Sequence, residues 1–221
     1  MMSKKIRIVI VEDHPIFRMG MKELLEQEKD MVVCGDAEDV TGAFDIINEQ
    51  MPDLVIVDLS LKESNGIELV KEIHHQYHPM SSLVLSMHDE SLHAERCIKA
   101  GAKGYIMKQE ASESVVKAIR QIMSGNIYVS PRVMSTLLNK FQSRPDRSHE
   151  SPLKCLTDRE LEIFQHIGQG LPSKEIALQL NISVKTVGTY RERIKEKLSL
   201  RHGGELVRNA VIWFETGLYT P

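Results

Sequence analysis

The residues best suited to chemistry in this chain are acids, a lysine and a serine, each standing where a short apolar run gives out. Ile6 to Val11 is followed by Glu12 and Asp13, Leu54 to Val57 by Asp58, Leu83 to Leu85 by Ser86, and Tyr105 to Met107 by Lys108. If these runs are parallel strands in the order 2-1-3-4-5, their carboxyl ends share one sheet edge, where open α/β sheets bind ligands at the reversal of strand order. The first and third strands are then neighbours, and Glu12, Asp13 and Asp58 crowd together. Three carboxylates at that range raise one another's pKa unless a positive charge neutralises them. A hard divalent cation, Mg²⁺ with retained waters, suits such oxygen ligands. Lys108 on an outer strand reaches an anion near Asp58, and Ser86 offers the same anion a hydroxyl. Carboxylate, metal, lysine and hydroxyl together make a site for covalent phosphorylation of an aspartate: Asp58 as nucleophile, Mg²⁺ shielding charge, and Lys108 balancing the product. Singly, each residue has a plainer use, since Glu12 or Asp13 could cap a helix beginning near Pro15. Their joint placement points to chemistry.

The elements that must position them are written as alternation. Apolar runs at Ile6 to Val11, Met31 to Cys34, Leu54 to Val57, Leu83 to Leu85 and Tyr105 to Met107 are separated mostly by amphipathic stretches of helical length. That is the pattern of a doubly wound five-stranded parallel sheet. Ile16, Met19, Leu24 and Leu25 form one helical stripe, and Ile67, Val70 and Ile73 another, so that about five helices accompany the strands between residues 5 and 124. Residues 126–151 begin with Val133, Met134, Leu137 and Leu138 and end as QSRPDRSHES, which reads as a short helix and then a flexible linker. From Leu156 onward only helices are expected. Thr157 opens TDRE, a capping box with Glu160. Ser173 is the expected N-cap of the next helix, Asn181-Ile182-Ser183 a tight turn, and Ser183 the cap of a helix running to about Leu198. Gly203-Gly204 is expected to separate that helix from a last one ending near Phe214.

A chain of 221 residues divides naturally into two domains, and its 42% hydrophobic and 27% charged content fits a folded protein rather than a disordered one. Boundaries fall at 4–125 for the first domain, 126–151 for the connection and 152–217 for the second. No apolar run approaches the roughly 18 residues of a membrane span, so neither insertion nor export is expected. Cys34, Cys97 and Cys155 are too scattered for a CxxC motif and odd in number, which fits a reducing cytosol. Charge is uneven: residues 1–141 carry 16 basic against 21 acidic side chains, whereas 152–221 carry 10 against 8. The positive charge gathers in 183–201, with Lys185, Arg191, Arg193, Lys195, Lys197 and Arg201 against two acids.

In that segment Val184, Val187 and Ile194 lie towards one apolar face, while Lys185, Thr186, Thr189 and Arg193 project elsewhere. A capped basic helix preceded by a short helix and a tight turn suits a DNA major groove: the start of the second helix points at base edges, and lysines and arginines take phosphates. The charge run alone reads first as a solvated basic face; if the helix enters a groove, Lys174 and Lys185 are the expected phosphate contacts and Thr186, Gly188 and Thr189 the groove-facing positions. Ser183, Tyr190, Arg191, Arg193 and Lys195 complete the candidate surface. The last helix, with Leu206, Val207, Ala210, Val211, Trp213 and Phe214, is apolar on more than one face, one for the core and another for a dimer.

The motifs VIVEDHPIFRMG, DLVIVDLSLKESNGIEL, LVLSMHDE and AGAKGYIMK resemble the flavodoxin-like receiver domain of two-component response regulators. LTDREL, SKEIALQLNISVKTV and RIKEKL resemble the LuxR-type helix-turn-helix of the NarL/FixJ subfamily. The resemblance implies that Asp58 accepts a phosphoryl group from a partner histidine kinase. It implies that Asp13, Asp58 and the backbone carbonyl of Ser60 hold Mg²⁺ with help from Glu12, and that Ser86 and Tyr105 reorient on phosphorylation. It further implies a cytoplasmic transcription factor, not an enzyme in its own right, that binds promoter DNA as a homodimer when active; a rival reading has the basic bundle grip RNA polymerase rather than DNA. Three departures stand out: Gly188 occupies a position where a long polar side chain is usual, Tyr190 replaces a histidine, and Arg201 to Glu205 differ from the usual entry to the last helix. A phosphatase with an aspartyl-phosphate intermediate is the enzymatic rival, but it wants a DxD pair where this chain has Glu12-Asp13-His14. His74 and His78, spaced i, i+4, read as solvated helix-end residues before they read as metal ligands.

Overall fold

The computed structural model describes residues 5–61, 66–87, 90–142, 152–180, 182–216 and 219. The chain divides near residue 144 into two compact units. In the first, five strands alternate with helices: β1 (Ile6–Val11), α1 (Pro15–Glu26), β2 (Met31–Ala37), α2 (Val40–Gln50), β3 (Leu54–Asp58), α3 (Gly66–Gln76), β4 (Ser81–Ser86), α4 (Glu90–Lys99), β5 (Gly104–Met107) and α5 (Ala111–Met123). All pairings are parallel, as the alternation of runs predicts, and the strand order is 2-1-3-4-5, which makes β1 and β3 neighbours.

The central strands are buried on both faces, which explains why they read as continuous apolar runs. Their side chains nonetheless sort with a period of two. Val9, Val11, Val55, Val57, Val84 and Tyr105 face the layer made by α2, α3 and α4, whereas Ile8, Ile10, Leu54, Ile56, Leu83, Leu85 and Ile106 face α1 and α5. Helices on both faces leave the carboxyl ends of the strands uncovered, and the register sets what stands there. Val11 pairs with Val57, Asp58 with Leu85, and Ser86 with Met107. Glu12, Asp58, Ser86 and Lys108 therefore line one edge.

The short helix expected after residue 126 is α6 (Pro131–Gln142), and it packs on the first unit rather than standing apart. Val133 is buried in the core layer beside α4, with Val129 and Leu137 against it. The approach is stitched to the open edge of β5: Tyr105 N donates to Tyr128 O and Tyr128 N donates to Lys103 O, both at 2.9 Å. The polar stretch 143–151 lies outside the described residues.

The second unit consists of α7 (Asp158–Gly168), α8 (Ser173–Gln179), α9 (Val184–Lys197) and α10 (Gly203–Thr216). Phe164 is fully buried and stacks obliquely on Trp213 at 5.6 Å. Gly168 lets α7 and α10 approach, since a Cβ there would sit 2.5 Å from Ala210 O. Thr157 and Glu160 form the expected capping box, and Lys197 Nζ adds an ion pair to Glu160 at 2.6 Å. Three local expectations are corrected. Ser173 is the first helical residue of α8 and Pro172 its N-cap, because Pro172 O already accepts the amides of Glu175 and Ile176. Gly203 and Gly204 form the first turn of α10 rather than a spacer. Val184 is 48% exposed and does not join Val187 and Ile194 in the core. Residues seven apart return to the same side of a helix, whereas Val184, three before Val187, lies about 60° round it. The turn residue Asn181 lies outside the described residues.

Candidate functional site

At the sheet edge Glu12, Asp13 and Asp58 are buried, each 5% exposed or less. Lys108, the residue after β5, extends into their midst with its side chain 6% exposed: Nζ lies 2.9 Å from Asp58 Oδ2 and 2.7 Å from Glu12 Oε2. These are close ion pairs, and beyond Lys108 neither oxygen has a hydrogen-bond partner. The same holds for Asp58 Oδ1 and Asp13 Oδ1. Burial pushes the Asp58 carboxyl up to about 6; Lys108 pulls the other way, Glu12 adds repulsion, and the Ser60 backbone favours the charged form. Burial alone would lower the Lys108 ammonium, but Asp58 and Glu12 outweigh it and raise its pKa. The result is an acid that is costly to charge, held by a permanently charged base.

The donor set fits a hard divalent cation. One ligand atom from each of Glu12, Asp13, His14 and Asp58 lies within 4.8 Å of the others, and the buried acceptors without hydrogen bonds are oxygens, the donor such ions prefer. Ser86 ends β4 fully buried on this edge, and Tyr105, on β5, is buried towards the α4 side.

Several residues that sequence reasoning passed over hold the site in shape. Phe17 lies under the lysine, its ring centroid 4.8 Å from Lys108 Nζ. Arg18 donates to the Glu12 carbonyl and pairs with Asp36 and Glu38 at 3.0 and 2.6 Å, fixing the turn after β1. Gly66 starts α3 against the Asp58 backbone, where a Cβ would stand 2.1 Å from Asp58 O. Their only signal in the sequence is proximity to the acids: Phe17 and Arg18 fall in the first turn of α1, and Gly66 begins the helix after β3.

In the second unit, Ser183 Oγ caps α9 by accepting from Thr186 N at 3.0 Å and contacts Thr186 Oγ1 at 2.7 Å. Lys185, Thr189 and Arg193, spaced by four, make an exposed stripe, and Lys174 is exposed on α8. Thr186 and Gly188 are half-buried beside the stripe; a Cβ on Gly188 would meet nothing within 4 Å. Tyr190 is half-buried under the Arg193 guanidinium, 5.8 Å from its ring centroid. Arg191 is half-buried, and Lys195 is paired with Glu192 at 2.7 Å. Of the candidate DNA surface, then, Lys174, Ser183, Lys185, Thr189 and Arg193 are presented outward, and Arg191 and Lys195 are less available.

Residues 8–120 match the response regulator receiver domain and residues 154–210 the luxR family of bacterial regulatory proteins. The chain belongs to the two-component response regulators that couple a receiver to a LuxR-type helix-turn-helix and regulate transcription. It is 36% identical over 211 residues to the oxygen regulatory protein NreC of Staphylococcus epidermidis, an alignment covering 93% of this chain and 97% of that one. It is 28% identical over 222 residues to the transcriptional regulatory protein DegU of Brevibacillus brevis, covering 95% and 94%. Among solved structures it is similar to RcsB of Salmonella enterica serovar Typhimurium bound to promoter P1flhDC in the presence of phosphomimetic BeF3-. That match has a TM-score of 0.56 and 26% identity, and covers 93% of this chain and 97% of RcsB. Among the described residues, no helix is long and apolar enough to cross a membrane.

Proposed function

We propose that Asp58 accepts a phosphoryl group from the phosphohistidine of a sensor kinase, and that this modification sets whether α9 holds promoter DNA. The observation that carries the reading is the buried Asp58 carboxylate at the sheet edge, ion-paired to Lys108 and grouped with the buried acids Glu12 and Asp13. In the transfer, a carboxylate oxygen of Asp58 attacks phosphorus while the phosphorus–nitrogen bond breaks and its electron pair returns to the imidazole ring. Lys108 shifts its charge from the carboxylate to the phosphoryl oxygens and offsets part of the negative charge that the phosphoryl group brings into the site. Asp13, Asp58 and the backbone carbonyl of Ser60 would hold Mg²⁺, assisted by Glu12. When bound, Mg²⁺ shields the negative charge shared by carboxylate and phosphoryl group. Asp58 is an acceptor in this scheme, and any loss of its phosphate serves signalling rather than turnover.

The Ser86 hydroxyl would turn to the phosphoryl oxygens, and the Tyr105 ring would move with it, altering the face made by α4 and β5. The signal crosses from the first domain, 4–125, through 126–151 to the second, 152–217. Lys174 and Lys185 would take DNA phosphates and Thr186, Gly188 and Thr189 face the groove, with Ser183, Tyr190, Arg191, Arg193 and Lys195 around them. The exposed Val207 and Phe214 of α10 would meet a second copy in the active dimer. RNA polymerase is a further partner on this reading, and kinase and DNA together place the work in the cytoplasm. Intact-mass spectrometry after incubation with Mg²⁺ and acetyl phosphate tests the first step. One phosphoryl group is expected on the wild type and none on Asp58→Ala; equal uptake by both proteins would move the acceptor elsewhere.

A further inference from the structure

His14 sits at the mouth of the acidic edge in a position that the helix behind it does not require. It is the N-cap of α1, yet its side chain makes no capping hydrogen bond, and Pro15 at the next position needs none. The ring folds back over the acids instead: Nδ1 lies 2.9 Å from Glu12 Oε1 and 2.8 Å from Asp13 Oδ1. An imidazole nitrogen carries either one proton or one lone pair, so it can satisfy one of these oxygens by a directed hydrogen bond, not both. Glu12 Oε1 is the one satisfied, and it also receives the His14 backbone N–H at 3.0 Å. Asp13 Oδ1, on a residue 5% exposed, is left with no hydrogen bond.

The same spacings are those of a coordination shell. Neighbouring ligands around a six-coordinate ion with bonds of about 2.1 Å stand about 3 Å apart. His14 Nδ1 already stands at about that separation from both Glu12 Oε1 and Asp13 Oδ1, and Asp58 belongs to the same group, one ligand atom from each of the four residues lying within 4.8 Å of the others. The His14 side chain is 68% exposed, so the ring can adjust by its own torsions without disturbing the core.

Resting on the reading of this edge as a divalent-cation site, we propose that His14 Nδ1 is a protein ligand to that cation. The site then combines an imidazole nitrogen with carboxylate oxygens. Imidazole favours first-row transition ions over Mg²⁺, so this chain accepts a borderline divalent ion such as Mn²⁺, Co²⁺ or Zn²⁺ in preference to Mg²⁺.

The test uses the full chain, with Mn²⁺ as the probe. Mn²⁺ affinity is measured by electron paramagnetic resonance of the free ion, and its bound ligands by electron spin echo modulation from nitrogen. Wild type, His14→Ala and Asp13→Asn are compared, with circular dichroism reporting the fold of each. The wild type should show the modulation of a coordinated imidazole, absent from His14→Ala. That variant should bind Mn²⁺ at least about tenfold more weakly, no less than the loss of an outer-shell partner typically costs, and its Mg²⁺ affinity should move less. Asp13→Asn should weaken both ions, placing the nitrogen at this site. Mn²⁺ bound without nitrogen modulation, or with modulation that persists in folded His14→Ala, overturns the role of His14 and leaves the cation site standing. A wild type that binds neither Mn²⁺ nor Mg²⁺ overturns both.

Discussion

Replacing Gly66 by alanine should disable the first domain without touching any charged group. A Cβ at this position would stand 2.1 Å from Asp58 O and 3.0 Å from both Asp58 C and Leu59 Cα, all of them backbone atoms that cannot swing aside as a side chain would. Reaching ordinary contact requires the start of α3 and the end of β3 to part by roughly 1 Å. Overpacking of this kind costs about 1–3 kcal/mol of stability. The larger effect falls on Asp58, because the strand end that must move carries the acceptor carboxylate and its ion pair with Lys108. Misplacement by about 1 Å can slow a positioned reaction by about 100-fold. Phosphoryl uptake from acetyl phosphate, followed by intact mass against time, should therefore slow by about two orders of magnitude in Gly66→Ala, while urea unfolding shows a loss within the overpacking range. A variant that takes up phosphate at the wild-type rate with unchanged stability would refute the steric argument.

Other expectations concern charge and helix propensity. The folded pKa of Asp58 lies above its ordinary 3.8 at about 6, so the folded chain holds that proton more tightly, and stability falls as pH rises from about 4 through about 6. Asp58→Asn should then unfold at higher urea than wild type at pH 7.5 without divalent cations, by up to about 3 kcal/mol, with the gap closing below about pH 4; equal stability at every pH would contradict the burial argument. Gly188→Ala adds a Cβ that meets nothing, and should stabilise the second domain by about 1 kcal/mol in thermal unfolding. Lys185→Ala should weaken binding to duplex DNA about equally across sequences and lower the salt dependence by roughly one counterion; loss confined to one sequence would make Lys185 a base reader.

The sheet was legible because buried parallel strands are short apolar runs, and because acids and a lysine at strand ends have few structural uses together. Glu12, Asp13, Asp58 and Lys108 meet as their spacing implied. What the sequence could not show were properties of approach rather than of pattern. Gly66 looks like any helix-opening glycine until the Asp58 carbonyl is seen beneath it. Val184 shares the chemistry of Val187 but sits a sixth of a turn away from the core direction, and the caps of α8 and α10 depend on backbone angles that several residue types adopt. The docking of α6 was hidden for a similar reason. Val129, Val133 and Leu137 carry no sign of which core they cover, and the pairing of Tyr128 with the β5 edge uses main-chain groups every residue possesses.

The central claim, that chemistry at Asp58 controls DNA binding, is tested most directly by fluorescence anisotropy on one promoter duplex at fixed salt. Wild type, wild type treated with acetyl phosphate and Mg²⁺, and Asp58→Asn given the same treatment would be titrated side by side. The account predicts tighter binding by the treated wild type alone, with its affinity falling as salt is raised. Identical isotherms for all three, with phosphorylation of the treated wild type verified by mass, would contradict it.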